Sequence, residues 1–84
     1  METLIGKVIH YYNRISVAVV DLSAELKIGD TILFLGHTTD FTQEVTSLEI
    51  EHQKVLLANP GGEVAVKVDE EVRQGDLVYK LQAG

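Results

Sequence analysis

The sequence predicts an all-β domain, a small closed Greek-key β-barrel of six or seven short strands over residues 1–84, with a β-sandwich as the alternative. Two observations carry this. Lys27-Ile28-Gly29-Asp30-Thr31-Ile32-Leu33-Phe34-Leu35 is echoed by Arg73-Gln74-Gly75-Asp76-Leu77-Val78-Tyr79-Lys80-Leu81. Each copy reads basic residue, spacer, Gly, Asp, spacer, β-branched residue, and a strand-like run follows each Gly-Asp pair. Gly29 and Gly75 can take positive φ at no steric cost, and Asp30 and Asp76 can bond their own backbone, so both pairs read as structural turns that launch strands. The second observation is the fairly even spacing of turn signals between short runs rich in Val, Ile and Leu.

Taken in order, Leu4 to Tyr12 reads as a strand with Val8 and His10 on one face and Lys7, Ile9 and Tyr11 on the other. Asn13-Arg14 suits a two-residue turn. Ile15 to Leu22 follows as a β-branched strand, apolar on both faces. Ser23 to Leu26 is a connector with room for one helical turn capped by Ser23. After the first Gly-Asp turn come the strand Thr31 to Leu35 and the polar loop from Gly36 to Asp40. Phe41 to Ile50 reads as one long strand whose apolar face changes phase, the mark of a β-bulge. Gln53 to Ala58 reads as a strand, and Asn59-Pro60-Gly61-Gly62 as a turn in which Gly61 takes positive φ. Glu63 to Val68 alternates, with Val64, Val66 and Val68 inward. The second Gly-Asp turn and a last strand, Leu77 to Leu81, complete the chain, and residues 82–84 read as a frayed end.

Composition narrows function. The chain has 84 residues and no cysteine, so disulfides, thiolate chemistry and Cys-based zinc sites are excluded; that absence and the lack of an apolar span favour the cytoplasm over a secreted or membrane setting. The formal net charge of −6 speaks against DNA and against non-specific nucleic-acid binding. His10, His37 and His52 lack the local spacing that preassembles a metal site, so no metal and no cofactor are expected. No nucleophile elbow accompanies Ser16, Ser23 or Ser47, and Glu70-Glu71 reads as a solvated charge run, so no catalytic residue is expected.

Two surface candidates remain. Phe34 and Tyr79 read as core, which leaves one of Tyr11 and Tyr12 exposed beside Arg14 as a small binding patch. His37, Thr38, Thr39 and Asp40 form the other candidate, a polar loop on a rigid scaffold, with Phe41 as its anchor.

The order of the motifs resembles a known family. A β-branched strand is followed by Lys27-Ile28-Gly29-Asp30-x-Ile32, Val45-Thr46-Ser47-Leu48-Glu49, Ala58-x-x-Gly61 with Val64-Ala65-Val66, and Arg73-Gln74-Gly75-Asp76-Leu77-Val78. This resembles the second, β-barrel domain of translational GTPases of the elongation factor Tu class, and more closely the small free-standing translation elongation factor-like proteins. A similar barrel occurs as an accessory domain on some collagenase-like peptidases. The resemblance implies a non-enzymatic binding module that engages a translation-related protein or a structured RNA. Its alternative is an accessory interaction barrel for a separate enzyme such as a collagenase-like peptidase. GTP binding is not implied, because no G-x-x-x-x-G-K-[ST] loop is present. Nor is aminoacyl-tRNA binding, since Glu2-Thr3-Leu4 stands where those factors carry an acidic-aromatic segment.

Overall fold

The structure is a computed structural model that describes residues 2–82, so Ala83 and Gly84 of the expected frayed end lie outside the described residues. Ten strands follow in chain order: β1 (Glu2–Tyr12), β2 (Val17–Leu22), β3 (Leu26–Lys27), β4 (Thr31–Leu35), β5 (Asp40–Glu44), β6 (Leu48–Ile50), β7 (Gln53–Val55), β8 (Leu57–Ala58), β9 (Glu63–Lys67) and β10 (Leu77–Leu81). Eight form one antiparallel sheet in the order β5-β4-β10-β1-β2-β9-β6-β7, and β3 pairs with β8 as a separate ribbon. The all-β class therefore holds, with one long sheet in place of the two facing sheets of a sandwich. Among the described residues no backbone ladder joins the edge strands β5 and β7, so strand pairing does not close the sheet into a barrel. No helix of these residues is long and apolar enough to cross a membrane.

The strand count exceeds six or seven because two expected strands divide and because Leu26 and Lys27, expected as connector and turn, form the short strand β3. Residues 41–50 break at Val45, whose backbone is taken by the first Gly-Asp turn: Gly29 N donates to Val45 O (2.9 Å) and Val45 N donates to Asp30 O (2.8 Å). Residues 53–58 break at the exposed Leu56, after which Ala58 pairs with Leu26 and Leu57 with Lys27. No helical turn forms at Ser23, whose N–H donates to Ile5 O at 2.7 Å. In β1 a register shift between Val8 and His10 parts two residues expected on one face: Val8 is buried and His10 exposed, while Tyr11 packs against the core. The β1–β2 loop is four residues, Asn13 to Ser16, rather than two; Ser16 has φ 55° and its carbonyl accepts from Val68 N at 2.9 Å.

The repeated motif becomes a repeated structure. In each copy the Asp N–H donates to the carbonyl of the basic residue three before it, at 3.1 Å (Asp30 to Lys27) and 3.0 Å (Asp76 to Arg73). Each carboxylate accepts back from that residue's N–H, at 3.0 Å for Lys27 and 2.8 Å for Arg73. Gly29 and Gly75 sit between them at φ 95° and 97°. The second turn grips Val8 as the first grips Val45: Gly75 N donates to Val8 O and Val8 N to Asp76 O, both at 2.8 Å. The launched strands β4 and β10 then pair with each other, with Leu33 opposite Tyr79, so equivalent positions of the repeat meet across a local two-fold axis. A Cβ at Gly29 or Gly75 would meet nothing within 4 Å, which leaves backbone strain as the only penalty. Gly29→Ala and Gly75→Ala should each cost about 1–2 kcal/mol in urea unfolding, by the same mechanism and to a similar extent.

The core gathers the inward side of every long strand, among them Ile5 and Val8 of β1, Ala18 and Val20 of β2, Ile32 and Phe34 of β4, Val64 and Val66 of β9, and Val78 of β10. Tyr79, expected in this core, is half-buried instead, because its neighbour Val78 takes the inward position. Gly6 is buried where β1 pairs with both β2 (Leu22) and β10 (Val78). A Cβ there would lie 2.7 Å from both the Asp21 carbonyl oxygen and Val20 Cγ1, so backbone must move. Gly6→Ala should therefore destabilise by about 1–3 kcal/mol in the same assay, although alanine is the smallest possible addition.

Candidate functional site

The surface of the described residues includes two depressions. The larger, about 550 Å³, lies over β2, β6 and β9. Leu22, Ala58 and Val64 supply buried apolar atoms to its wall, Val19 and Ala65 are half-buried, and Glu49, Glu51, His52 and Glu63 stand around it. Two turns shape it. Ile50 pairs with Gln53, so Glu51 and His52 form the whole β6–β7 connection, at φ 50° and 66°. Two successive left-handed residues are what a tight hairpin requires, and Asn-Gly is the usual solution; Glu-His does it at a conformational cost. On the other side, Gly61 N donates to Leu22 O (2.9 Å) and Leu22 N donates to Gly62 O (3.0 Å), which holds the Asn59–Gly62 turn against β2.

The result is an apolar trough with anionic walls. It offers van der Waals contact to an aliphatic stem and charge attraction to a cationic head. No sequence motif marks this groove, since its parts are distant in the chain. Among the described residues no group of three or more His, Asp or Glu side chains is placed to hold a metal ion.

The smaller depression, about 270 Å³, lies at the tip of the β1–β2 hairpin and is lined by Tyr11, Tyr12, Asn13, Arg14 and Ile15. The structure thus brings the Tyr11, Tyr12 and Arg14 candidates to one place. Tyr12 is exposed and its ring lies 4.2 Å from that of His10, tilted by 57°. Arg14 and Ile15 are exposed beside it.

The loop candidate is less open than its polarity implies. His37, Thr38 and Asp40 face solvent, but Thr39 is only 4% exposed. The loop folds on itself through Gly36 N to Thr39 O (2.8 Å) and Thr39 N to Gly36 O (3.4 Å). Phe41 anchors it, stacked on Phe34 with ring centroids 5.2 Å apart. Thr39 is thus turned away from solvent while His37, Thr38 and Asp40 stay exposed.

Comparisons with known proteins bear on identity. No protein-family model matches the chain. It is 47% identical over 79 residues to a protein of Methanocaldococcus jannaschii named an uncharacterized protease, covering 93% of this chain and 19% of that protein. It is 38% identical over 82 residues to a Porphyromonas gingivalis collagenase, covering 95% of this chain and 23% of that protein. The chain thus spans about a fifth of the length of these curated relatives. Among solved structures, the C-terminal domain of a Geobacillus thermoleovorans protein described as a U32 peptidase superposes with a TM-score of 0.89 at 23% identity, covering 95% of this chain and 93% of that one. These findings overturn the elongation-factor resemblance, and with it the link to translation. The Gly-Asp corners and valine alternation on which it rested report turn geometry and burial, which unrelated functions share; by sequence the chain is similar to segments of proteases, and by fold to a peptidase's C-terminal domain.

Proposed function

We propose that this chain is a non-catalytic β-domain that serves a U32-type, collagenase-like peptidase, the role that the sequence offered as its alternative. One observation carries the reading: almost the whole chain aligns at 47% identity with a fifth of a protease. The remainder of such a protein has ample length for a catalytic body, and this domain contributes binding and positioning. Gln43 of the edge strand β5 reaches Lys67 O at the end of β9 (2.8 Å), so the sheet curls into a barrel-like scaffold suited to that role. Its larger groove, with Glu49, Glu51 and Glu63 around apolar walls, suits a polypeptide that carries basic side chains.

The test uses gelatin hydrolysis by the Porphyromonas gingivalis collagenase. Replacing its matched segment with this chain should preserve hydrolysis, deleting the segment should lower it, and the 84-residue chain alone should release no peptides. A replacement that behaves like the deletion, or a lone chain that cleaves gelatin, would sink the proposal.

A further inference from the structure

The outer side of the central strands is unexpectedly apolar. In β4 and β10 the inward positions Ile32, Phe34 and Val78 are fully buried, and Lys80, of the same phase, reaches the Asp30 carboxylate at 3.3 Å. Strand alternation turns Leu33, Leu35, Leu77, Tyr79 and Leu81 to the opposite side. Leu4 of β1 joins them, since it pairs with Tyr79, which pairs in turn with Leu33; Leu35 pairs with Leu77. Leu4 is 49% and Leu35 37% exposed, while the other four are half-buried. Six large apolar side chains thus cover three adjacent strands, with the exposed Glu2, Lys7, Asp40 and Glu44 around them. A contiguous apolar patch with a charged rim is the mark of a surface that another body covers.

We propose that this face docks against the body of the peptidase, the roughly four-fifths of the relatives' length that this chain does not match. The inference rests on the accessory-domain reading above. Two observations select that occupant. Glu2 pairs with Leu81, so both ends of the described fold sit together at one corner of this face. Polypeptide joined at either end leaves from that corner, and a body attached there lies beside the leucines. A second copy of this chain is the poorer occupant, because each copy carries a net charge of −6 and two would repel.

The test again uses the whole collagenase with this chain in place of its matched segment. Leu35→Glu and Leu4→Glu place a charge in the docked face, which apolar packing tolerates poorly. Either variant should speed proteolytic release of the domain by on the order of tenfold or more and enlarge the radius of gyration in small-angle scattering, whereas Leu35→Met should do neither. In the isolated 84-residue chain both Glu variants should leave the circular dichroism spectrum unchanged, since both side chains are exposed in the domain itself. If gelatin hydrolysis survives in the replacement but release is unaffected by the Glu variants, the docking face is wrong and the accessory role stands. If the replacement protein fails as the deletion does, both fall. A wild-type chain that is dimeric by light scattering, and that Leu35→Glu makes monomeric, would hand the face to a second copy and overturn the proposal.

Discussion

Phe34→Ala should cost about 3–5 kcal/mol, enough to leave the domain largely unfolded near room temperature or a few kcal/mol from it. Phe34 has no exposed surface and lies on β4, an interior strand, opposite Phe41 on one side and Val78 on the other. Its ring stacks on Phe41 at 5.2 Å with an interplanar angle of 25°. Eight of the sixteen other buried core residues are valines, stiff at χ1, so the core has limited freedom to fill the void. A domain of 84 residues has a stability on the order of 4–12 kcal/mol, so a single cavity of this size consumes much of it. Leu33→Ala, one residue earlier and on the outer side, should cost about 1 kcal/mol. Thermal and urea unfolding followed by circular dichroism measures both, and equal losses would show that Phe34 is not a keystone of the core.

The contrast between Phe34 and its neighbours shows what local pattern reveals. Val64 and Val66 alternate in β9, Val68 follows its end in the same phase, and all three are buried. Phe34 was legible in the same way. Where the chain bends, alternation fails, because one extra residue inverts every side chain beyond it. His10 shares the parity of Val8, and only the register shift between them, which has no local marker, puts it outside. Tyr79 has the aromatic, β-branched surroundings of a core residue, yet Val78 holds the inward position beside it. Val45 lies within an apparently continuous strand, and what stops the strand is a turn from residues 29 and 30. Such a break depends on a long-range partner that no window of sequence contains.

The candidate site divides similarly. Tyr11, Tyr12 and Arg14 are neighbours in the chain, so proximity followed once the hairpin was recognised. The groove joins residues 19–22, 49–52 and 58–65, three segments that only the β2-β9-β6 strand order brings together. Glu51 and His52 also close a hairpin without Gly or Asn, so the turn chemistry that signals such connections was missing. Thr39 shows the opposite failure: its residue type and loop setting signalled exposure, while the loop's own hydrogen bonds turn it inward.

Gln43→Leu should cost about 2–5 kcal/mol, a penalty made almost entirely of lost hydrogen bonds. Gln43 is buried on the edge strand β5, four strands away from β2 and five from β9 in sheet order. Its amide nevertheless reaches the end of β9: Nε2 donates to Lys67 O at 2.8 Å, and Oε1 accepts from Asp69 N at 2.8 Å. One side chain thus joins strands that the ladder does not join, which requires the sheet to curl until its β5 edge meets β9. Leucine has nearly the volume of glutamine but neither its donor nor its acceptor, so packing is kept while the Asp69 N–H and the Lys67 carbonyl lose this partner. Each such loss costs about 1–3 kcal/mol when water cannot enter. Gln43→Glu keeps the acceptor for Asp69 N and loses the donor to Lys67 O; it also places a carboxylate beside that carbonyl, so it should still destabilise. Hydrogen exchange separates the two variants: beyond the general loss of protection shared by the core amides, Asp69 N–H should exchange much faster in Gln43→Leu, and less so in Gln43→Glu. Equal exchange at Asp69 in wild type and Gln43→Leu would mean that the curl is held by the apolar core alone and that the amide bridge follows from it.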